Sequence, residues 1–205
     1  MDSAFPAGGF AHSGGLEAAW QHGEIRDAGD LSSFIEASLW QTASSMIPFV
    51  TVGHSAPGQL IEFNLRCEAY LTNHVANRAS RLQGRAFLNS ASRIYGTVVN
   101  FATVGDPCHF APTFGAVLRV LSLSRSAAAH LFMFQCLRAI AAAAVRLGIV
   151  GPMEAQAIQH RLAPRAREIL TATENRGIEE IASTAPILEI WQGSHDRLYS
   201  RLFQT

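Results

Sequence analysis

Residues 125–148 read RSAAAHLFMFQCLRAIAAAAVRLG, with Ser124 immediately ahead and Gly148 at the end. A serine before a run of strong helix formers reads as an N-cap and a closing glycine as a stop, so the stretch predicts one long helix. Alanines at 139 and 141–144 leave little side-chain bulk, which lets neighbouring helices approach closely. The aromatics of LFMFQ at 131–135 are expected in the core. The longest purely apolar run, AIAAAAV at 139–145, is flanked by Arg138 and Arg146. It is far shorter than the roughly 20 residues of a membrane span, so no transmembrane helix is expected.

Downstream, Gly151 and Pro152 restart the chain as N-cap and first helical residue, with Glu154 placed to meet the positive end of the helix dipole. Pro164 is expected to interrupt that helix. A short IEEIAS helix follows Gly177, and after Pro186 comes ILEIWQGSHDRLYSRLFQT. Chain ends usually fray unless tied down, so a tail carrying Leu198, Tyr199, Leu202 and Phe203 predicts docking in the core or on a partner.

Upstream, FGAVLRVLSLS predicts a short helix, preceded by the irregular TVVNFATVGDPCHFAP at 97–112, in which VVNFATV is strand-like in composition but has no partner run. Residues 75–96 repeat helically up to Gly96, and Gly84 inside that pattern predicts close packing against another backbone. Leu60, Phe63, Cys67, Tyr70 and Leu71 mark another helical face after the SAPGQ turn. Asp30 reads as the N-cap of LSSFIEASLWQTASSM, with Pro48 kinking or ending that helix. LEAAWQH makes a short first helix stopped by Gly23. The fold class is therefore all-α, a single compact multi-helix domain over 1–205 with roughly eight to ten helices.

Sixteen arginines, no lysines and sixteen acidic residues give a formal charge of zero, which removes the phosphate attraction of a nucleic-acid binder and every lysine-based mechanism. Apolar residues are 48% and charged residues 16% of the chain, so some apolar surface is expected to be covered by a partner. Three cysteines without CxxC spacing do not form a disulfide framework, and no basic and apolar leader opens the sequence, so a cytoplasmic location is expected.

Residues 5–20, FPAGGFAHSGGLEAAW, offer the most tempting chemistry. A phosphate loop would need Gly-Lys-Ser/Thr, and the lysine is missing. AHSGG departs from the G-x-S-x-G nucleophile elbow only at its first position, which would make Ser13 the nucleophile of a serine hydrolase. No strand precedes it, so Ser13 reads better as the cap of LEAAW, with glycines supplying unusual backbone angles. Eight histidines and Cys108-His109 raise a metal-carrying reading, but no CxxC, HExxH or i, i+4 histidine pair is present. Arg197, Tyr199 and Arg201 form either a recognition cluster or the solvated face of a last helix.

SAFPAGGFAHSGGLEAA, NRASRLQGRAFL at 77–88, HFAPTFGAV at 109–117, AAVRLGIVGPMEAQAIQHRLAP at 143–164 and PILEIWQGSHDRLYSRLF at 186–203 together resemble the UreF family of urease accessory proteins, in order and across essentially the whole chain. The resemblance implies an all-α adaptor with no catalytic residues, which joins UreD (also called UreH) and the GTPase UreG on apo-urease so that nickel is inserted into the urease site. It implies a chaperone-like role in metallocentre assembly, a homodimer, and nickel handled by the assembled complex with no metal or cofactor held stably by this chain. Nucleic acid and membrane are not expected partners. Matched positions Pro6, Gly8, Gly9, Phe10, Ser13, Gly15 and Glu17 mark an N-terminal partner-binding segment. His195, Tyr199, Arg201, Leu202 and Phe203 mark a docking tail within 186–205.

Overall fold

In a computed structural model of the chain, which describes residues 9–96, 101 and 104–205, the long alanine-rich stretch is a helix over Arg125–Arg146. The Ser124 hydroxyl oxygen accepts from the Ala127 N–H at 3.1 Å, satisfying one of the helix's orphan donors as its N-cap. Seven other α-helices accompany it among the described residues, with no strand. In chain order they are α1 (Leu16–Gln21), α2 (Ala28–Ser55), α3 (Leu60–Tyr70), α4 (His74–Tyr95), α5 (Phe110–Val120), α6 (the long helix), α7 (Pro152–Thr173) and α8 (Pro186–Ser194). Phe101 and residues 104–109 are neither helix nor strand. The segment expected as an IEEIAS helix is only a 3-10 turn, Ile178–Glu180.

The longest helix, α2, packs most extensively on α5 and α6 and forms the axis of the bundle. Its cap is Asp27, three residues before the position expected from the sequence: the Asp27 carboxylate accepts from the Gly29 and Asp30 N–H groups. Asp30 instead sits in the first turn and takes the Arg26 guanidinium at 3.2 Å. Pro48 does not end the helix either. A proline cannot donate to the carbonyl four residues back, and that carbonyl, Ser44 O, accepts from Ala182 N at 3.2 Å. The segment before α8 thus repairs the gap. Pro164 similarly lies within α7, where the residue whose carbonyl it leaves free, His160, is exposed to water.

Where α2 crosses α5 the two backbones touch. A Cβ on Gly53 would overlap Pro112 O, and one on Gly115 would overlap Val50 O. Gly84 of α4 likewise abuts Cys108 O, which bears out the close packing expected of it. Between these crossings Phe87, Phe110, Phe114 and Phe132 form an aromatic cluster with ring centroids 5.3 to 5.6 Å apart. Phe132 and Met133 of LFMFQ are buried, whereas Phe134 faces outward. Although its uninterrupted apolar run is short, α6 does have the length and hydropathy of a membrane-crossing helix, and half of its most apolar stretch is buried in the bundle.

Candidate functional site

The two ends of the chain meet. Gly14 and Gly15 take left-handed backbone angles, φ 62° and 90°, a region that costs an L side chain energy but not glycine. Gly15 is the N-cap residue of α1, and a Cβ there would come within 3.0 Å of Gln192 N, so the glycine also lets α1 seat on α8. Ser13 is therefore not the side-chain cap expected. Its carbonyl accepts from Leu16 N at 3.2 Å, while its hydroxyl, in a residue 2% exposed, has no hydrogen-bond partner among the described residues. With no base on that hydroxyl, the arrangement is not that of an activated nucleophile.

Seating α1 in this way directs Glu17, in its first turn, into the interior, where the residue is 1% exposed. A buried carboxylate is costly unless its oxygens are satisfied. Here His195 Nε2 lies 3.0 Å from Oε2, Phe203 N–H donates to Oε2 at 3.2 Å, and Leu202 N–H donates to Oε1 at 2.6 Å. The tail then pairs with the N-terminal loop: Gln204 N donates to Ala11 O at 2.8 Å and Ser13 N to Thr205 O at 2.7 Å. His12 Nδ1 contacts the Thr205 hydroxyl, and Gln21 Nε2 donates to Ser200 O at 2.9 Å. Phe203 is buried with the Arg146 guanidinium 4.2 Å above its ring. Burial, and then the nearby positive charges of Arg78 and His195, bring the His12 imidazole down to about 4.

Just outside this clasp, Asp196 collects Arg78 at 2.8 Å, His74 at 3.3 Å and Arg201 at 3.3 Å. The Arg78 hydrogen bond holds the Asp196 carboxyl below its ordinary range. Arg197 closes the 3-10 turn His195–Arg197 and Arg201 lies beyond it, so the two do not share the face of a last helix. Tyr199 is fully exposed and Leu202 half exposed.

Of the residues marked in the sequence, the structure brings Ser13, Gly15, Glu17, His195, Leu202 and Phe203 into one assembly, with Arg201 at its rim and Tyr199 projecting from it. Gly9 lies in the 3-10 turn Gly9–Ala11 that leads into it. Pro6 and Gly8 fall outside the described residues, as does the side chain of Phe10. His12, Arg78, Arg146, Asp196 and Thr205 were not anticipated. No local pattern marks them, because the contacts that draw them to the clasp, Arg201–Asp196 apart, reach far along the sequence.

Among the described residues no three His, Cys, Asp or Glu side chains gather as a metal site. Cys108 lies against Thr113 at 3.6 Å, while the His109 ring is held between Ser80 at 3.1 Å and Glu68 at 2.7 Å, so these neighbours serve different contacts. Burial pushes the Cys67, Cys108 and Cys136 thiols up, away from the thiolate form a metal takes. Beside the clasp lies a partly open cavity of about 360 Å³, lined by residues of the loop before α1, of α2, α4, α6 and α8, and by Phe203.

The UreF family profile matches residues 25–163. The chain is 38% identical to the urease accessory protein F of Arabidopsis thaliana, over 99% of this chain and 89% of that protein. It is 34% identical to urease accessory protein F of Oryza sativa subsp. indica, over 100% of this chain and 82% of the relative. A bacterial relative, the urease accessory protein UreF of Mesorhizobium japonicum, is 28% identical over 100% of this chain and 93% of its own length. An all-helical bundle whose sequence follows these relatives from end to end belongs to the UreF family of urease accessory proteins.

Proposed function

We propose that this chain is a non-enzymatic adaptor in urease maturation. It joins UreD (UreH) and the GTPase UreG on apo-urease in the cytoplasm, acts there as a homodimer, and leaves nickel to the assembled complex without retaining it. The observation that carries the reading is the build of the tail. Glu17 and Phe203 fix it from within, while Tyr199 and Leu202 are left exposed on a fixed backbone. Aromatic and arginine side chains held on an ordered support are the groups that dominate protein interfaces, because little entropy is lost when they dock. Tyr199 and Arg201 meet that description, and Leu202 adds exposed apolar area beside them.

The test mixes the purified chain with UreD and UreG from the same source and follows co-elution by size exclusion, then urease activation with nickel and GTP. The wild-type chain is expected to form the ternary complex. Arg201→Ala is expected to weaken it about tenfold with the melting temperature unchanged, because its ion pair with Asp196 is an exposed one. Unaltered co-elution of Arg201→Ala removes the tail from the interface, and failure of the wild-type chain to co-elute removes the adaptor reading itself.

A further inference from the structure

The cavity beside the clasp has a chemistry that neither the fold nor the clasp requires. Its 360 Å³ lie within the range of sites for small organic molecules. The space exists because α6 presents Ala139, Ala142 and Ala143 there, where larger side chains would fill it. Met46, Phe132 and Leu188 supply apolar walls.

The charges in the lining are unbalanced. Arg138 of α6 is one of the lining residues. Arg138 is half-buried and makes no ion pair among the described residues. The one carboxylate among the described lining residues, Glu189, is already engaged by Gln41 Nε2 at 3.2 Å and the Ser183 hydroxyl at 2.9 Å. It forms no ion pair with Arg138. Ser13 adds a buried hydroxyl that has no partner among the described residues on the same lining. A half-buried guanidinium and an unused hydroxyl donor call for an acceptor that carries negative charge, and apolar walls call for a hydrocarbon body.

We propose that this cavity is a binding site for a small amphipathic organic anion, with its acidic head on Arg138 and its apolar body over the α6 alanines. Arg138 lies outside the tail residues Tyr199, Arg201 and Leu202, so Arg138→Gln tests the site without altering the surface that would meet protein partners.

The probe is 8-anilinonaphthalene-1-sulfonate, titrated into the full chain by fluorescence and calorimetry, beside N-phenyl-1-naphthylamine, which has similar rings and no charge. The sulfonate is expected to bind saturably at one site per chain, and the neutral compound about tenfold more weakly, since a charge-assisted hydrogen bond is worth that factor or more. Arg138→Gln should weaken the sulfonate about tenfold and leave the neutral compound unaffected. Ala139→Trp, at an exposed position of the lining, should abolish binding of both, and Arg167→Gln, on the distant surface of α7, should change neither. Unchanged melting temperatures identify these as effects on the site and not on folding. Equal binding of the two compounds, wild-type affinity in Arg138→Gln, or non-saturable binding would overturn the assignment.

Discussion

Glu17 shows how one side chain holds a tail in place. Its carboxylate takes the Leu202 and Phe203 N–H groups and faces His195 Nε2, all inside the protein. Glu17→Gln removes the charge and turns an amide NH2 towards donors that need an acceptor. The substitution is expected to cost about 3 kcal/mol in urea unfolding, and hydrogen exchange at the Leu202 and Phe203 amides should accelerate more than exchange in α2. His12 adds a pH dependence. Its folded-state value of about 4 lies below the ordinary 6.5, so between those values the unfolded chain binds a proton that the folded chain does not. Stability is therefore full above about pH 6.5 and falls as pH drops towards 4. His12→Asn should flatten that profile by about 3 kcal/mol, read as the difference in unfolding free energy between pH 7 and pH 4. His109, also lowered chiefly by burial, contributes with the same sign and remains in both proteins. At this scale the sequence was only half legible. Family resemblance marked Glu17, but nothing around it signals burial, and Ser13 looked like a cap because the left-handed turn at Gly15 that displaces it is a tertiary consequence of α8.

At the scale of elements, periodicity and end signals located the helices, and the errors cluster at prolines and caps. Pro48 and Pro164 are poor stops here for separate reasons: Ala182 N serves the carbonyl that Pro48 abandons, and the corresponding site in α7 lies on an exposed face. Neither reason is visible within the helix itself. Asp27 and Asp30 are both cap formers; Asp27 takes the helix N–H groups and Asp30, one turn in, pairs with Arg26. Gly84 was legible because a glycine inside a strong helical pattern weakens the helix unless a neighbouring backbone needs the space, and Gly53 and Gly115 obey the same logic. Gly115→Ala would gain about 1 kcal/mol of helix propensity, yet its Cβ would meet Val50 O, a backbone atom that cannot rotate away. A net loss of about 3 kcal/mol is expected from thermal unfolding. Gly58→Ala, with open space around the added carbon, should stay within about 0.5 kcal/mol of wild type.

At the scale of the whole molecule, composition and helical spacing were enough for an all-α bundle, whereas the joining of its ends was not. The contacts that close the clasp span 178 to 193 residues of sequence, and no local pattern encodes a pairing of that range. The apolar tail was legible as something that must dock, with the choice between its own core and a partner left open. The structure divides the tail by residue: Phe203 docks inward under Arg146, while Tyr199 and Leu202 remain on the surface. This division separates a buried anchor from the surface proposed for assembly within five residues. Phe203→Ala should lower stability by about 3 kcal/mol, through lost burial and the cavity left under Arg146. Its complex with UreD and UreG should weaken in step with the loosened tail. Tyr199→Ala removes a side chain that buries nothing in the free chain, so its unfolding midpoint should match wild type while co-elution falls about tenfold. A Tyr199→Ala chain that assembles normally would place the partner surface elsewhere on the bundle and leave the tail with its internal, structural role alone.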